Sequence, residues 1–151
     1  MHTLEQIHEI ISQKIKSINL SGQPAELYEP IKYTFSLGGK RLRPALCLLG
    51  CDMFGGNPDH ALDPAIGIEI FHNFTLIHDD IMDQAPIRRG RETVYKKWNQ
   101  NVAILSGDTM MALAYDFMMK APESSRTDVL AAFNKTAIEV CEGQQYDMNY
   151  E

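Results

Sequence analysis

Apolar residues recur three or four positions apart along most of the chain, which is the spacing of one helix face. The first such segment runs from Leu4 to Ile18, and Thr3 precedes it as a predicted N-cap. No segment shows the period-two alternation of a half-buried strand. The pattern therefore predicts an all-α fold.

Glycine and proline residues divide the chain into a series of predicted helices. Proline has no amide hydrogen to lose, so it is favoured in the first turn of a helix. Pro44 and Pro64 are therefore expected to open two of the helices. The predicted helices run from Leu4 to Ile18, from Ala25 to Leu37, from Pro44 to about Gly55, from an N-cap at Asp63 to Asp83, from Thr93 to Trp98, from an N-cap at Asn101 to about Ala121, and from about Thr127 onward.

A cluster of three aspartates, Asp79, Asp80 and Asp83, follows an almost uninterrupted apolar segment. On a helix Asp79 and Asp83 lie about 40° apart around the axis and roughly 6 Å apart along it, so both carboxylates can face one cleft. Such a cluster could simply be a solvated patch. A mostly apolar helix is expected to be buried on most sides, however, and this favours a position at the edge of the core.

His72 is predicted to share a helix face with the aspartates. It precedes Asp79 by seven positions, which places it about 20° from the same line on the helix surface. Two unpaired carboxylates repel each other, and their usual partner is a hard divalent cation. Mg²⁺ typically binds one or two carboxylates and fills its other positions with water and substrate phosphates. The stripe of His72, Asp79 and Asp83 therefore predicts a cavity wall with a magnesium site.

The 151-residue chain is acidic, with a formal net charge of −6. This charge argues against nucleic acid or an anionic membrane as a partner, because both favour a basic surface. The basic residues nevertheless form two runs, Lys40–Arg43 and Arg88–Arg91. Each run could merely solvate a loop. The alternative is a local anion site, which Gly38 and Gly39 before a predicted helix start favour, since helix N-termini carry unpaired amides and partial positive charge.

No feature of the sequence predicts secretion or a membrane span. The N-terminus lacks the basic start and apolar stretch of a signal peptide, and no apolar run reaches the length of a transmembrane helix. The three cysteines are odd in number and lack the spacing of a zinc site, which is typical of thiols in a reducing compartment. A cytoplasmic location without stable membrane insertion is therefore expected.

Three motifs, taken in order, resemble a known family. They are G-G-K-R-L-R-P at residues 38–44, L-I-H-D-D-I-M-D at 76–83 and R-R-G at 88–90. In this order and spacing they are similar to the N-terminal half of the trans-isoprenyl diphosphate synthases, or polyprenyl synthetases. The resemblance extends from about Tyr28 to the segment G-Q-Q-Y-D at 143–147. It implies that residues 1–151 are the N-terminal portion of one all-α isoprenoid synthase domain, whose helices surround a central prenyl-chain cavity.

The resemblance also implies roles for the matching residues. Those that would hold the diphosphate of isopentenyl diphosphate are Lys40, Arg43, His72 and Arg89. Asp79 and Asp83 match magnesium ligands, with Asp80 in support, and Arg88 matches a contact to the allylic diphosphate. Residues expected near the allylic substrate and its metals are Gln144 and Asp147. No role is expected for His78 beyond that of a packed helix histidine.

The implied reaction is prenyl transfer from an allylic diphosphate to isopentenyl diphosphate. The allylic partner would be dimethylallyl, geranyl or farnesyl diphosphate. Ionisation of that substrate needs no protein nucleophile, and no nucleophile with an adjacent base is evident in the sequence. Mg²⁺ would neutralise charge on the departing diphosphate, and an apolar cavity would protect the allylic cation from water.

Product length is expected to depend on Phe74 and Thr75. In the family, bulk shortly before the first aspartate forms the floor of the product cavity, and Phe74 precedes Asp79 by five positions. This resembles short-chain synthases that make C15 or C20 products. On an ideal helix Phe74 lies about 140° from Asp79, so helix geometry alone does not place it in the cavity. A purely structural core phenylalanine is the alternative.

Two other functions remain open at this stage. A class I terpene cyclase also uses D-D-x-x-D with magnesium, but it would leave Lys40 and Arg43 without a task. A non-catalytic helical subunit of a heteromeric synthase is the second. The family's second aspartate-rich motif does not occur in the 151 residues, so the chain alone is expected to transfer little prenyl group. The resemblance also implies a homodimer.

Overall fold

A computed structural model describes residues 2–150 of the chain. This part contains seven helices and one two-stranded hairpin. The helices are α1 (Leu4–Ser17), α2 (Ala25–Ser36), α3 (Leu42–Met53), α4 (Pro58–Met82), α5 (Val94–Lys97), α6 (Gln100–Met118) and α7 (Glu123–Tyr150), and the strands are β1 (Ile87–Arg88) and β2 (Arg91–Glu92). The predicted all-α fold is confirmed, with this short hairpin as the exception.

The long helix α4 lies at the centre of the bundle and packs against α6 and α3. Ile66 and Ile70 on α4 and Met110 on α6 are fully or almost fully buried. At Gly67 a side-chain Cβ would lie 3.1 Å from the carbonyl oxygen of Ala114, so glycine lets α4 and α6 approach closely. The burial predicted for this apolar helix is confirmed.

Among residues 2–150, none of the helices combines the length and the hydropathy needed to span a membrane.

Side-chain caps fix where the helices begin. Thr3 caps α1 as predicted, and its hydroxyl and the Gln6 side chain form a reciprocal capping box. The predicted cap at Asp63 is wrong, because α4 begins at Pro58, six residues before the expected first residue Pro64, and the Asn57 side chain accepts the amide of Asp59. Pro64 lies inside the helix, where it removes one backbone donor but is buried among apolar neighbours.

Three further predicted starts differ from the structure. Helix α6 is capped by Asn99, whose side chain accepts the amide of Val102, so the cap predicted at Asn101 is wrong. Helix α3 begins at Leu42 and places Pro44 in its first turn, where a missing amide hydrogen has no effect. Helix α7 begins at Glu123, four residues before the predicted start. Each case moves a boundary and leaves the helix itself in place.

The hairpin was not predicted. Its strands pair Ile87 with Glu92 and Arg88 with Arg91 in antiparallel register. Arg89 and Gly90 form the two-residue turn with φ values of 53° and 77°, as a type I′ turn requires. Strands of two residues are too short to show alternation, so the sequence pattern carried no strand signal.

Candidate functional site

One cavity of about 530 Å³ is lined by most of the residues predicted to form the basic site. Its walls come from the loop before α3, the first turn of α3, the middle of α4 and the turn of the hairpin. The lining residues are Gly39, Lys40, Arg41, Leu42, Arg43, Glu69, His72 and Arg89. Residues from three separate parts of the sequence therefore meet around one space.

The backbone determines how these side chains converge. Lys40 lies in the loop and Arg43 in the first turn of α3, where the unpaired amides of a helix N-terminus add partial positive charge. Gly39 packs directly against the hairpin, because a Cβ at this position would lie 2.8 Å from Nη1 of Arg89. Glycine at position 39 therefore leaves the space that the Arg89 guanidinium occupies.

The cavity has the electrostatics of an anion site. Among residues 2–150, the side chains of Lys40 and Arg43 make no hydrogen bond or ion pair. Burial, assisted by the nearby charge of Arg43, lowers the pKa of His72. Burial and the Arg41 charge lower the pKa of Arg89. Such crowding of cations favours an anion with several oxygen acceptors, such as a diphosphate.

Arg41 differs from its basic neighbours. Its Nη1 donates to Oε1 of Glu69 at 2.5 Å, and only 10% of the Arg41 side chain and 3% of the Glu69 side chain are exposed. Sequence reasoning grouped Arg41 with Lys40 and Arg43 and did not single out Glu69. The available signal was a lone carboxylate inside an apolar helix, three positions before His72, since a buried charge usually requires a partner.

The acidic cluster occupies the C-terminal end of α4. Asp79 lies in the last turn, and Asp83 is the C-cap, with its amide donating to the carbonyl oxygen of Asp79 at 2.8 Å. Burial and the neighbouring Asp83 charge raise the pKa of Asp79. Neither carboxylate forms an ion pair with another residue of the described part, residues 2–150. The two predicted metal ligands thus form a like-charge pair at the helix end.

Asp80 faces the hairpin. Its Oδ1 accepts a hydrogen bond from Nε of Arg88 at 2.7 Å, and the carboxylate is 6% exposed. Burial raises the pKa of Asp80, while the hydrogen bond and charge of Arg88 oppose that rise. Asp80 therefore fastens the hairpin that carries Arg88 and Arg89 to the end of α4.

A second cavity of about 270 Å³ lies between α4 and α7. Its lining residues are Phe74, Thr75, His78, Asp79 and Met82 on α4, with Val140, Cys141, Gln144, Gln145 and Met148 on α7. Phe74 and Asp79 share this space although they lie about 140° apart on the helix, because the cavity covers a wide face of α4. Gln144 lies opposite them, whereas Asp147 is exposed and outside the lining.

The sequence of the chain is similar to those of known proteins. The sequence profile of the polyprenyl synthetase family matches residues 24–151. The chain belongs to the polyprenyl synthetase family. It is 45% identical over 132 residues to the geranylgeranyl diphosphate synthase of Methanosarcina mazei, covering 85% of this chain and 40% of that protein.

Solved structures of polyprenyl synthetases have the same fold. A crystal structure of a geranylgeranyl pyrophosphate synthase superimposes with a TM-score of 0.94 at 45% identity, covering 99% of this chain and 46% of that one. The geranylgeranyl pyrophosphate synthetase from Pyrococcus horikoshii gives a TM-score of 0.90 at 38% identity, covering 98% and 46%. The chain thus spans slightly under half the length of these relatives.

The residues of this polyprenyl synthetase chain fit a hard divalent cation at the acidic end of α4. Within residues 2–150 no group of three or more His, Cys, Asp or Glu side chains forms a complete metal site. Mg²⁺, however, needs only one or two carboxylates when phosphate oxygens and water complete its shell. Burial, and after it the neighbouring Asp83 charge, raise the pKa of Asp79, and a cation would relieve the repulsion between these two carboxylates.

His78 packs between α4 and α6. Its ring lies edge-on to Phe74, with centroids 4.7 Å apart. On the other side it packs against α6 at Gly107, where a Cβ would lie 2.4 Å from Nε2 of His78. Glycine at position 107 thus leaves room for the imidazole between the two helices.

Proposed function

We propose that this chain supplies the isopentenyl diphosphate site and one metal-binding wall of a short-chain trans-prenyl diphosphate synthase. The observation that carries the proposal is the basic cavity, which brings together four side chains predicted to hold one diphosphate. They are Lys40, Arg43, His72 and Arg89. Family membership supports the reaction class, and the relatives' names support the short-chain class.

In this proposal the basic cavity holds and orients isopentenyl diphosphate. Lys40, Arg43 and Arg89 donate charge-assisted hydrogen bonds to the diphosphate oxygens. His72 donates one further hydrogen bond from a ring nitrogen, which a neutral imidazole can still do. With its diphosphate fixed there, the isopentenyl group can extend along α4 toward the second cavity, where Asp79 lies.

The acidic end of α4 would hold the metal and, together with Arg88, the allylic diphosphate. Asp79 and Asp83 would hold Mg²⁺, which when bound neutralises negative charge on a departing diphosphate. Arg88, held by Asp80 through Nε, keeps its two terminal nitrogens for the allylic diphosphate. Gln144 orients the same substrate from α7. The allylic C–O bond breaks and its electron pair leaves with the diphosphate. The isopentenyl double bond attacks the resulting cation, and the released diphosphate accepts the proton that is lost.

Phe74 and Thr75 are proposed as the floor of the growing prenyl chain. Both line the cavity that contains Asp79, and the Phe74 ring packs against Phe71 with centroids 5.7 Å apart. Aromatic bulk at this depth limits the product to C15 or C20. In an active protein, Phe74→Ala should lengthen the product by at least one isoprene unit, which chromatography of the dephosphorylated alcohols measures. Unchanged products would remove Phe74 from the floor.

The proposal is tested in a protein of the relatives' length. This chain would be continued by the remaining part of the Methanosarcina mazei synthase and incubated with Mg²⁺, isopentenyl diphosphate and each allylic primer. Prenyl transfer should occur, and Asp79→Asn/Asp83→Asn should abolish it. The isolated 151-residue chain should show little transfer, because one carboxylate wall holds the metal weakly.

The same assay separates the rival functions. Turnover of the allylic diphosphate without added isopentenyl diphosphate would indicate a terpene cyclase and contradict the proposal. No turnover under any condition, together with tight association with an active synthase, would indicate a non-catalytic subunit. A homodimer and a cytoplasmic location stay predictions.

A further inference from the structure

The buried ion pair between Arg41 and Glu69 lies in the wall of the basic cavity and connects three helices. Arg41 Nη1 donates to Glu69 on α4, and Arg41 Nη2 donates to the carbonyl oxygen of Phe35 at the end of α2, at 3.2 Å. The guanidinium carbon also lies 5.9 Å from the centre of the Phe35 ring. Arg41 itself precedes the first residue of α3. One side chain therefore fixes the positions of α2, α3 and α4 relative to one another.

The backbone of Arg41 has a left-handed conformation that a side-chain-bearing residue rarely adopts. Its φ is 51° and its ψ 33°, and it occupies the N-cap position of α3 without a capping hydrogen bond from its side chain. Such a conformation persists only where surrounding contacts enforce it. The contacts of the guanidinium to Glu69 and Phe35 provide that enforcement. Because Lys40 and Arg43 lie on either side of this bend, its geometry determines where both cations point.

Glu69 is fixed from its second side by Asn73. The Asn73 Nδ2 donates to Glu69 Oε1 at 3.3 Å and to the Glu69 carbonyl oxygen at 2.7 Å, and Asn73 is fully buried. A carboxylate so held cannot donate to a diphosphate, and its negative charge on the cavity wall repels one. The Glu69 carboxylate in the wall of an anion site must therefore have a role other than binding the anion.

We propose that Arg41 and Glu69 are positioning residues for the diphosphate site. The pair holds the left-handed bend at position 41 and so aims Lys40 and Arg43 into the cavity, while neither Arg41 nor Glu69 contacts the anion. The inference rests on the proposed function only in taking the cavity as a diphosphate site.

Removal of the Glu69 charge should change pyrophosphate affinity in opposite directions, depending on whether Glu69 acts by repelling the anion or by positioning Arg41. If Glu69 acts only through its charge, Glu69→Gln and Glu69→Ala should tighten binding of inorganic pyrophosphate, since a repulsive carboxylate is gone. If Glu69 positions Arg41, both should weaken binding, by about threefold for glutamine, which keeps an acceptor, and about tenfold for alanine. Isothermal titration calorimetry of the 151-residue chain at low salt without metal measures the difference.

The matched controls separate positioning from loss of stability. Ile66→Val removes a buried methylene from the same helix and should leave pyrophosphate affinity unchanged. Arg41→Lys keeps the charge but loses the planar fork, and it should weaken binding nearly as much as Glu69→Ala. Arg41→Lys/Glu69→Ala should be no weaker than Arg41→Lys alone, because the two residues act as a unit. Faster amide hydrogen exchange at residues 38–43 should accompany each weakened variant and be absent in Ile66→Val.

Failure of this inference is distinct from failure of the proposed function. If wild type does not bind pyrophosphate, or Lys40→Ala leaves binding intact, the proposed diphosphate site is wrong. If Lys40→Ala weakens binding while both Glu69 variants tighten it or leave it unchanged, the site stands and the positioning role is overturned. Equal losses in Ile66→Val and Glu69→Ala would also overturn it, since the effect would then be general.

Discussion

The basic cavity and the acidic end of α4 differ in how the chain balances their charges. Buried carboxylates pair with two arginines at or next to the basic cavity: Arg41 in the cavity wall pairs with Glu69, and Arg88 on the adjoining hairpin pairs with Asp80. Among residues 2–150, the side chains of Lys40 and Arg43, which line the cavity, make no ion pair. At the acidic end Asp79 faces another carboxylate. In the proposed function, the first region would bind an anion and the second would bind a cation.

The two regions also differ in what surrounds them. The basic cavity is bounded by α3, α4 and the hairpin, all anchored to the core. The acidic cavity is closed by α7, of which only Phe133 and Ala137 are buried. Tyr146 and Met148 near the end of α7 are at least half exposed. We therefore expect the basic region to bind its ligand independently and the acidic region to depend on bound metal.

The largest expected effect is on anion binding. Lys40→Ala/Arg43→Ala should lower pyrophosphate affinity by at least about 100-fold, because two charge-assisted hydrogen bonds are lost. Calorimetry without metal measures it. Asp79→Asn/Asp83→Asn is the matched control and should not weaken metal-free binding. Equal losses in the two double variants would show that the regions are not independent.

A smaller effect separates the paired from the unpaired aspartates. Asp80→Ala should reduce the free energy of unfolding by about 1–3 kcal/mol, because it leaves the half-buried Arg88 without its partner. Asp83→Ala should change it by less than about 0.5 kcal/mol, since Asp83 is exposed and its charge opposes the dipole of α4. Urea denaturation measures both. Similar losses would contradict the different roles of the two carboxylates.

The pH dependence of His72 provides a third test. Its folded-state pKa lies below the ordinary value of 6.5, so His72 adds stability above pH 6.5 that is lost as the pH falls through the lowered pKa. The stability advantage of wild type over His72→Gln should therefore shrink from about pH 7.5 to about pH 5. Denaturation at several pH values measures this trend, and a constant difference would contradict it.

A bound anion should raise the pKa of His72, opposite to the direction in which burial moves it. Pyrophosphate in the basic cavity favours the imidazolium, so the pKa of His72 should rise when it binds. Proton NMR of the imidazole during titration follows the change. Lys40→Ala/Arg43→Ala should abolish the rise, and an unchanged pKa in wild type would place the anion elsewhere.

The smallest effect compares two left-handed residues. Gln84 follows the acidic end of α4 with a φ of 51°, and the next amide closes a Schellman motif on the Asp80 carbonyl oxygen at 3.0 Å. Gln84→Gly should stabilise by about 0.5–1 kcal/mol because glycine relieves the strain. Arg41→Gly should destabilise although it relieves the same strain, since the Glu69 pair is lost. Thermal unfolding measures both, and stabilisation in both would deny the pair a structural role.

Local signals allowed much of the fold to be predicted. The cap at Thr3 and the helical periodicity depend on hydrogen bonds and packing within a few residues, so they are readable from the sequence. The start of α4 could not be predicted from the sequence, because Asn57 and Asp63 are both suitable caps and Pro64 can be accommodated inside a helix. The hairpin turn at Arg89 was missed because an arginine with positive φ leaves no sequence pattern.

The candidate site divides in the same way. The order of the motifs indicated which residue types would meet, and the structure brings Lys40 and His72 into one cavity although 32 positions separate them. The order of the motifs could not show that Arg41, unlike Lys40, pairs with Glu69 in the cavity wall. Periodicity cannot distinguish adjacent arginines in an irregular loop, whose directions depend on φ and ψ.

The sequence by itself determined an all-α chain with carboxylates at the end of a buried helix and cations before another, because helix periodicity and charge are local properties. Only the tertiary structure decided which charges pair and which stay free. Arg88 meets Asp80, and Phe74 shares a cavity with Asp79, through the packing of the hairpin and of α7 against α4. Both contacts join elements that are far apart in the sequence, so local patterns cannot predict them. Whether a charged side chain can bind a ligand depends on which neighbours in space already pair with it.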